Sequence, residues 1–220
     1  MRRTIVLLAT MALTLLVASG VALAVNKIGT NGPDTLRGTN GNDTLIGKGG
    51  DDILLSLRGR DNLLGGPGKD CLLCVTASMK ITGGDKILLG GPGIDVVLAG
   101  KGSDIAVGAE GNDFMNDDTE REFSKDIFSG GPGNDVIDVM HYRSARGDLV
   151  VCGSGFDRVG ADRKDVVAPD CEKVVVFKGG PISEYDDVLF NVFYASVPNT
   201  FFEGLPPCPM VEERVVRGES

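Results

Sequence analysis

Five aspartates, Asp34, Asp43, Asp52, Asp61 and Asp70, recur every nine residues. Each stands two residues after a glycine (Gly32, Gly41, Gly50, Gly59, Gly68) and two before a leucine (Leu36, Leu45, Leu54, Leu63, Leu72). Asp and Asn favour turns in general, but turn preference alone does not explain one register position holding Asp while other turn positions vary. Carboxylates and turn carbonyls are hard oxygen donors, and a cation such as Ca²⁺ gathers about six to eight of them. A single turn cannot supply that number, so an ion would have to lie between turns.

The elements that could position such carboxylates follow from the same register. Residues 29 to 73 read GTNGPDTLR, GTNGNDTLI, GKGGDDILL, SLRGRDNLL and GGPGKDCLL without interruption. A glycine at one fixed position suits a tight turn that needs positive φ or a close backbone approach. Six turn residues then lead into a three-residue strand whose middle residue, the Leu, faces opposite to its neighbours. No unit buries enough surface to fold alone, so stacking must supply the core. The pattern is the nonapeptide G-G-x-G-x-D-x-U-x. On it the chain resembles the repeats-in-toxin (RTX), or haemolysin-type calcium-binding, family. The resemblance implies an all-β fold: a parallel β-roll, that is a right-handed β-solenoid, with Ca²⁺ ions held by Asp carboxylates and turn carbonyls, and with a C-terminal cap.

Further units carry the same marks. GGPGIDVVL, AGKGSDIAV and GAEGNDFMN (90–116) bring Asp95, Asp104 and Asp113. REFSKDIFS (121–129) keeps Asp126 but has Ser124 in place of glycine, GGPGNDVID (130–138) brings Asp135, and the altered stretch 148–172 brings Asp157. With two units per coil, ions are expected to bridge Asp34 with Asp52, Asp43 with Asp61, Asp52 with Asp70, Asp95 with Asp113, and Asp104 with Asp126. Two carboxylates on adjacent coils repel by about 1 kcal/mol in water and about 3 to 4 at an effective dielectric constant of about 20. Summed over two rows, that rivals a whole domain's stability of about 5 to 15 kcal/mol, so folding is expected to depend on calcium. The register fails at 74–82, where Met79 replaces Asp, and at 83–89, two residues short. Together these read as a distorted coil without calcium. Asp117 to Glu120 read as a solvated acidic insertion, and 139–147 as a loop or short helical segment.

The organisation is a signal peptide at 1–24, a calcium-binding β-roll at 25–176 and a C-terminal cap or tail at 177–220. The first segment has Arg2 and Arg3, an apolar run and an Ala22-Leu23-Ala24 cleavage site, which points to a secreted, extracellular protein. The tail collects Phe190, Phe193, Tyr194, Phe201 and Phe202. Secreted bacterial β-roll proteins have endings similar to the Cys-Gly-x-Gly-x-Asp and Asp-Cys-Glu found here. Cys152 and Cys171 lie about one coil apart, within reach of a disulfide across coils about 4.8 Å apart. Cys71 and Cys74 form a C-x-x-C that lacks a βαβ context, which favours a local or cross-coil disulfide that could involve Cys208.

Composition narrows the function classes. A net charge of −9, falling to about −11 without Arg2 and Arg3, disfavours nucleic acid. The single histidine, His141, has no H-E-x-x-H around it, Gly153-Ser154-Gly155 falls in a turn rather than a nucleophile elbow, and no catalytic motif is recognisable. The leading expectation is a structural or surface-associated calcium-binding protein with a cell-surface or polysaccharide partner. The alternatives are a polysaccharide-acting enzyme on the solenoid face and an adhesin-like or toxin-like surface binder.

Overall fold

The computed structural model describes residues 24–73, 84–117, 124–140, 147–177, 197–198, 200–201 and 204–206. The expected signal segment, the Met79 region, His141, Cys74, Cys208 and most of the tail lie outside the described residues. Among the described residues, sixteen short strands form two eight-stranded parallel sheets. One sheet takes the odd strands in order: β1 (Asn26–Ile28), β3 (Thr44–Ile46), β5 (Asn62–Leu64), β7 (Ile87–Leu89), β9 (Ile105–Val107), β11 (Ile127–Pro132), β13 (Leu149–Ser154) and β15 (Val166–Val167). The other takes the even strands: β2 (Thr35–Arg37), β4 (Ile53–Leu55), β6 (Cys71–Leu73), β8 (Val96–Leu98), β10 (Phe114–Asn116), β12 (Val136–Asp138), β14 (Arg158–Asp162) and β16 (Lys173–Phe177). This is the parallel β-roll expected from the repeats, with two units to each coil.

The middle residue of each strand points inward, as a three-residue strand between turns requires. Leu45, Leu54, Leu63, Leu72, Leu88, Val97, Ala106, Met115, Phe128, Ile137, Val150 and Val159 form one continuous buried stack. Register is kept through every irregular stretch, because slipping by one residue would turn this stack outward. After β6 the next described strand is β7, with Leu88 between Leu63 and Ala106. Most of the stretch expected to be a distorted coil, 74–83, lies outside the described residues. Beyond 141–146, which lie outside the described residues, β13 pairs with β11 in the same register.

The two outer faces differ. On the even sheet, Cys71, Leu73, Val96, Leu98, Phe114 and Val136 are buried together with Val197, and Phe201 and Leu205 pack against them. The described part of the C-terminal segment thus lies along a sheet face, and Lys69 Nζ donates to the Gly204 carbonyl at 2.9 Å. On the odd sheet, Ile87, Ile105, Ile127 and Val166 form an exposed row in register with Leu149. Cys152 and Cys171 are joined by a disulfide, as expected, with Cα atoms 5.3 Å apart. Cys71 is also disulfide-bonded.

Candidate metal centre

The turns leading into the even strands stack in one column and those leading into the odd strands in a second. Each is shaped by backbone that only glycine adopts easily. In most turns from Lys48 onward the second and fourth positions have positive φ, as in Gly91 (122°) and Gly93 (151°). A Cβ at Gly111 would overlap the Gly93 carbonyl oxygen of the preceding coil and approach Asp113 Oδ1 at 3.2 Å. Carbonyl and carboxylate oxygens therefore converge where a side chain would otherwise stand.

Each aspartate is tied to its neighbour by a backbone bond. In the first column the N–H of Asp34 donates to Asp52 Oδ1 (2.8 Å), Asp52 to Asp70 (2.8 Å), Asp70 to Asp95 (2.8 Å), Asp95 to Asp113 (2.9 Å), Asp113 to Asp135 (2.9 Å) and Asp135 to Asp157 (2.8 Å). In the second column Asp43 donates to Asp61 (2.9 Å) and Asp104 to Asp126 (2.7 Å). All eleven aspartates singled out in the sequence lie in these two ladders, and every pair expected to share an ion is adjacent.

One oxygen of each carboxylate is spent on this bond, and the other is the chemically telling atom. The Oδ2 atoms of Asp52, Asp70, Asp95, Asp113, Asp135 and Asp157 are buried and have no hydrogen-bond partner. A buried polar atom without a partner is costly, and a buried charge without one far more so. Burial accordingly raises the carboxyls: Asp70 and Asp113 to about 7, and Asp95 and Asp135 to about 8. Asp126 rises to about 10 through burial and the neighbouring Asp117. An all-oxygen donor set with repeated unpaired carboxylate oxygens fits a hard divalent cation.

The first coil differs from the others. Thr30 donates to Asp34 Oδ2 from its N–H (2.5 Å) and its hydroxyl (2.9 Å), and these bonds hold Asp34 below the usual carboxylate range. Thr39 treats Asp43 Oδ2 in the same way, with its N–H at 2.5 Å. Both turns read Gly-Thr-Asn-Gly, and the threonine supplies part of what a cation would.

Several positions in the ladders were missed in the sequence. Asp148 and Asp165 continue the second ladder: Asp126 N–H donates to Asp148 Oδ1 and Asp148 N–H to Asp165 Oδ1, both at 2.9 Å. Glu172 ends the first ladder by accepting from Asp157 N–H at 2.8 Å. The signal for Asp148 was its spacing, two residues before the core-facing Val150, and the glycine-poor turn hid it. Asp117, read as solvated, is 4 % exposed, and its carboxylate, Asp126 and Asp148 lie within 4.8 Å of one another. Asp117 stands where regular units place their first glycine, so its side chain must point into the turn. Position five carries a second ladder: Asn42, Asp51, Asp85, Asn112 and Asn134 accept N–H bonds from the next coil.

Two cation-ready turn columns on a parallel roll define a class, the calcium-binding β-rolls. Within it, residues 28–63, 47–72, 81–116 and 124–139 match the RTX calcium-binding nonapeptide repeat in four copies. Over those residues the roll carries the RTX calcium-binding repeat. The ladders carry the same architecture past the last matched residue, to Glu172. No curated protein matches the chain.

Proposed function

We propose that this chain is a secreted protein that folds around calcium and serves a structural or surface-associated role. In this reading Ca²⁺ lies between successive turns, held by Asp52, Asp61, Asp70, Asp95, Asp104, Asp113, Asp126, Asp135 and Asp157 with turn carbonyls. Asp34 and Asp43 hold it less tightly because Thr30 and Thr39 already bond their carboxylates. The observation that carries the reading is the row of buried Oδ2 atoms without partners. Secretion is supported by the sequence of 1–24 and by the Cys152–Cys171 disulfide, which suits an oxidising compartment. Circular dichroism of the mature chain in millimolar calcium and in excess chelator tests the coupling, and a strand spectrum indifferent to calcium would sink it.

A second reading, attachment to a cell surface or polysaccharide, is favoured by the exposed row Ile87, Ile105, Ile127 and Val166 on the odd sheet. Contiguous apolar surface of this kind marks interaction sites. Binding of the calcium-loaded protein to glycan arrays and liposomes tests this reading. If binding persists after Ile105→Asp and Ile127→Asp, the row is not the contact.

A further inference from the structure

The second column is interrupted at one place. In the turn before β7, the position that holds Asp elsewhere holds Lys86, and its side chain is only 2 % exposed. A lysine at a turn ordinarily extends its ammonium into water. Here Lys86 Nζ turns into the stack, donating to the Gly84 carbonyl of its own turn at 2.9 Å and to the Lys101 carbonyl of the next at 3.2 Å. Those carbonyls occupy the fourth and third positions of their turns, and Gly84 O faces Gly102 as Gly93 O faces Gly111. The backbone of Lys86 remains in the ladder, its N–H donating to Asp104 Oδ1 at 2.8 Å. Its charge also acts on Asp61 in the coil before. A positive group therefore bridges two turns among inward carbonyls, between one buried carboxylate on each side.

We propose that the Lys86 ammonium replaces a calcium ion at this step of the roll. An ammonium has three donors and no acceptor. It can neutralise flanking carboxylates and satisfy turn carbonyls, but it cannot join a metal's oxygen shell. The second column is thereby divided into two calcium runs, one at Asp43 and Asp61 and one at Asp104, Asp126 and Asp148, joined by a step that needs no metal. The first column, with Asp or Glu at every step from Asp34 to Glu172, has no such step. This inference rests on the calcium reading above and adds to it one site where the roll carries its own cation.

The test compares the mature wild-type chain with Lys86→Asp and Lys86→Met. Bound calcium per chain is measured by equilibrium dialysis and elemental analysis, and thermal unfolding is followed across calcium concentrations. Lys86→Asp is expected to fold in millimolar calcium and to hold one or two more ions than the wild type, since it restores a carboxylate pair with Asp61 and with Asp104. Lys86→Met is expected to hold the wild-type number yet unfold about 5 °C lower even at saturating calcium, since the carbonyls lose their donor. The proposal is overturned if Lys86→Asp holds the wild-type number or fails to fold in calcium, or if Lys86→Met is as stable as the wild type. A wild-type chain that binds no calcium would refute the calcium reading instead, and the Lys86→Met comparison would still judge whether the ammonium holds the turns.

Discussion

Removing calcium at different pH values sets the buried carboxylates against the fold. Asp113 is fully buried, and its carboxyl rises from an ordinary value of 3.8 to about 7 in the metal-free roll. A carboxyl raised on folding is more protonated in the folded chain than in the unfolded one, so its contribution to stability falls as pH climbs from 3.8 through about 7. Above that range the loss from Asp113 alone is about 4 kcal/mol. Asp70, Asp95 and Asp135 shift in the same direction. A domain of ordinary stability, about 5 to 15 kcal/mol, cannot bear several such losses. Calcium-stripped protein, freed of chelator by desalting, should therefore show its strand spectrum at about pH 5 and lose it by about pH 8. With calcium present the carboxylates gain a cationic partner and the fold should persist at the higher pH. Far-ultraviolet circular dichroism against pH, with and without calcium, reads both curves. A metal-free spectrum that is unchanged, or more strand-rich, at the higher pH would refute the assignment of the Oδ2 row as the origin of calcium dependence.

Asp113→Asn keeps an acceptor for the Asp95 N–H but removes the charge, so calorimetry should show a weakened site, while the metal-free chain at alkaline pH becomes easier to fold. Gly111→Ala should cost about 3 kcal/mol or more, because the new Cβ overlaps the Gly93 carbonyl and φ is 147°. Ala109 already sits at φ 87°, so Ala109→Gly should instead gain about 0.5 to 1 kcal/mol; urea unfolding in saturating calcium compares the two. Cys152→Ser opens a staple between residues 19 apart and should cost about 3 kcal/mol, seen as faster hydrogen exchange in β14 and β16.

Much of this architecture was legible because two independent constraints share one period. The turn demands Gly and Asp at fixed places and the core demands an apolar residue two positions on, so each regular unit declares both its fold and its ligand. Legibility failed where insertions sit in the turns. Successive aspartates are 18 residues apart in regular coils, but Asp70 and Asp95 are 25 apart and Asp126 and Asp148 are 22 apart. Extra turn residues leave the strands in register, which preserves the fold while erasing the sequence period. Asp148 was lost for that reason. Lys86 was hidden differently: its residue type contradicts the motif, and only the burial of its ammonium reveals that charge of either sign can serve this position.

The ladders have a direction, and the direction explains how the roll is ended. Along both ladders, apart from the Asp61 step that meets Lys86, each Asp N–H donates to a carboxylate supplied by the following coil, so a coil depends on the one after it for its acceptor. The first coil needs nothing before it, and its own spare oxygens are met by Thr30 and Thr39. Among the described residues the last coils have no successor, and an N–H left without an acceptor there would carry the penalty of an unpaired buried donor. The chain meets this need with acceptors outside the nonapeptide pattern, Asp165 for Asp148 and Glu172 for Asp157. Glu172 follows Cys171 directly, and the bond from Cys171 to Cys152 holds that acceptor against the preceding coil. The disulfide belongs at this end because, among the described residues, the hydrogen-bond polarity leaves this end without a following repeat. It supplies by covalent attachment the placement that stacking gives every earlier carboxylate.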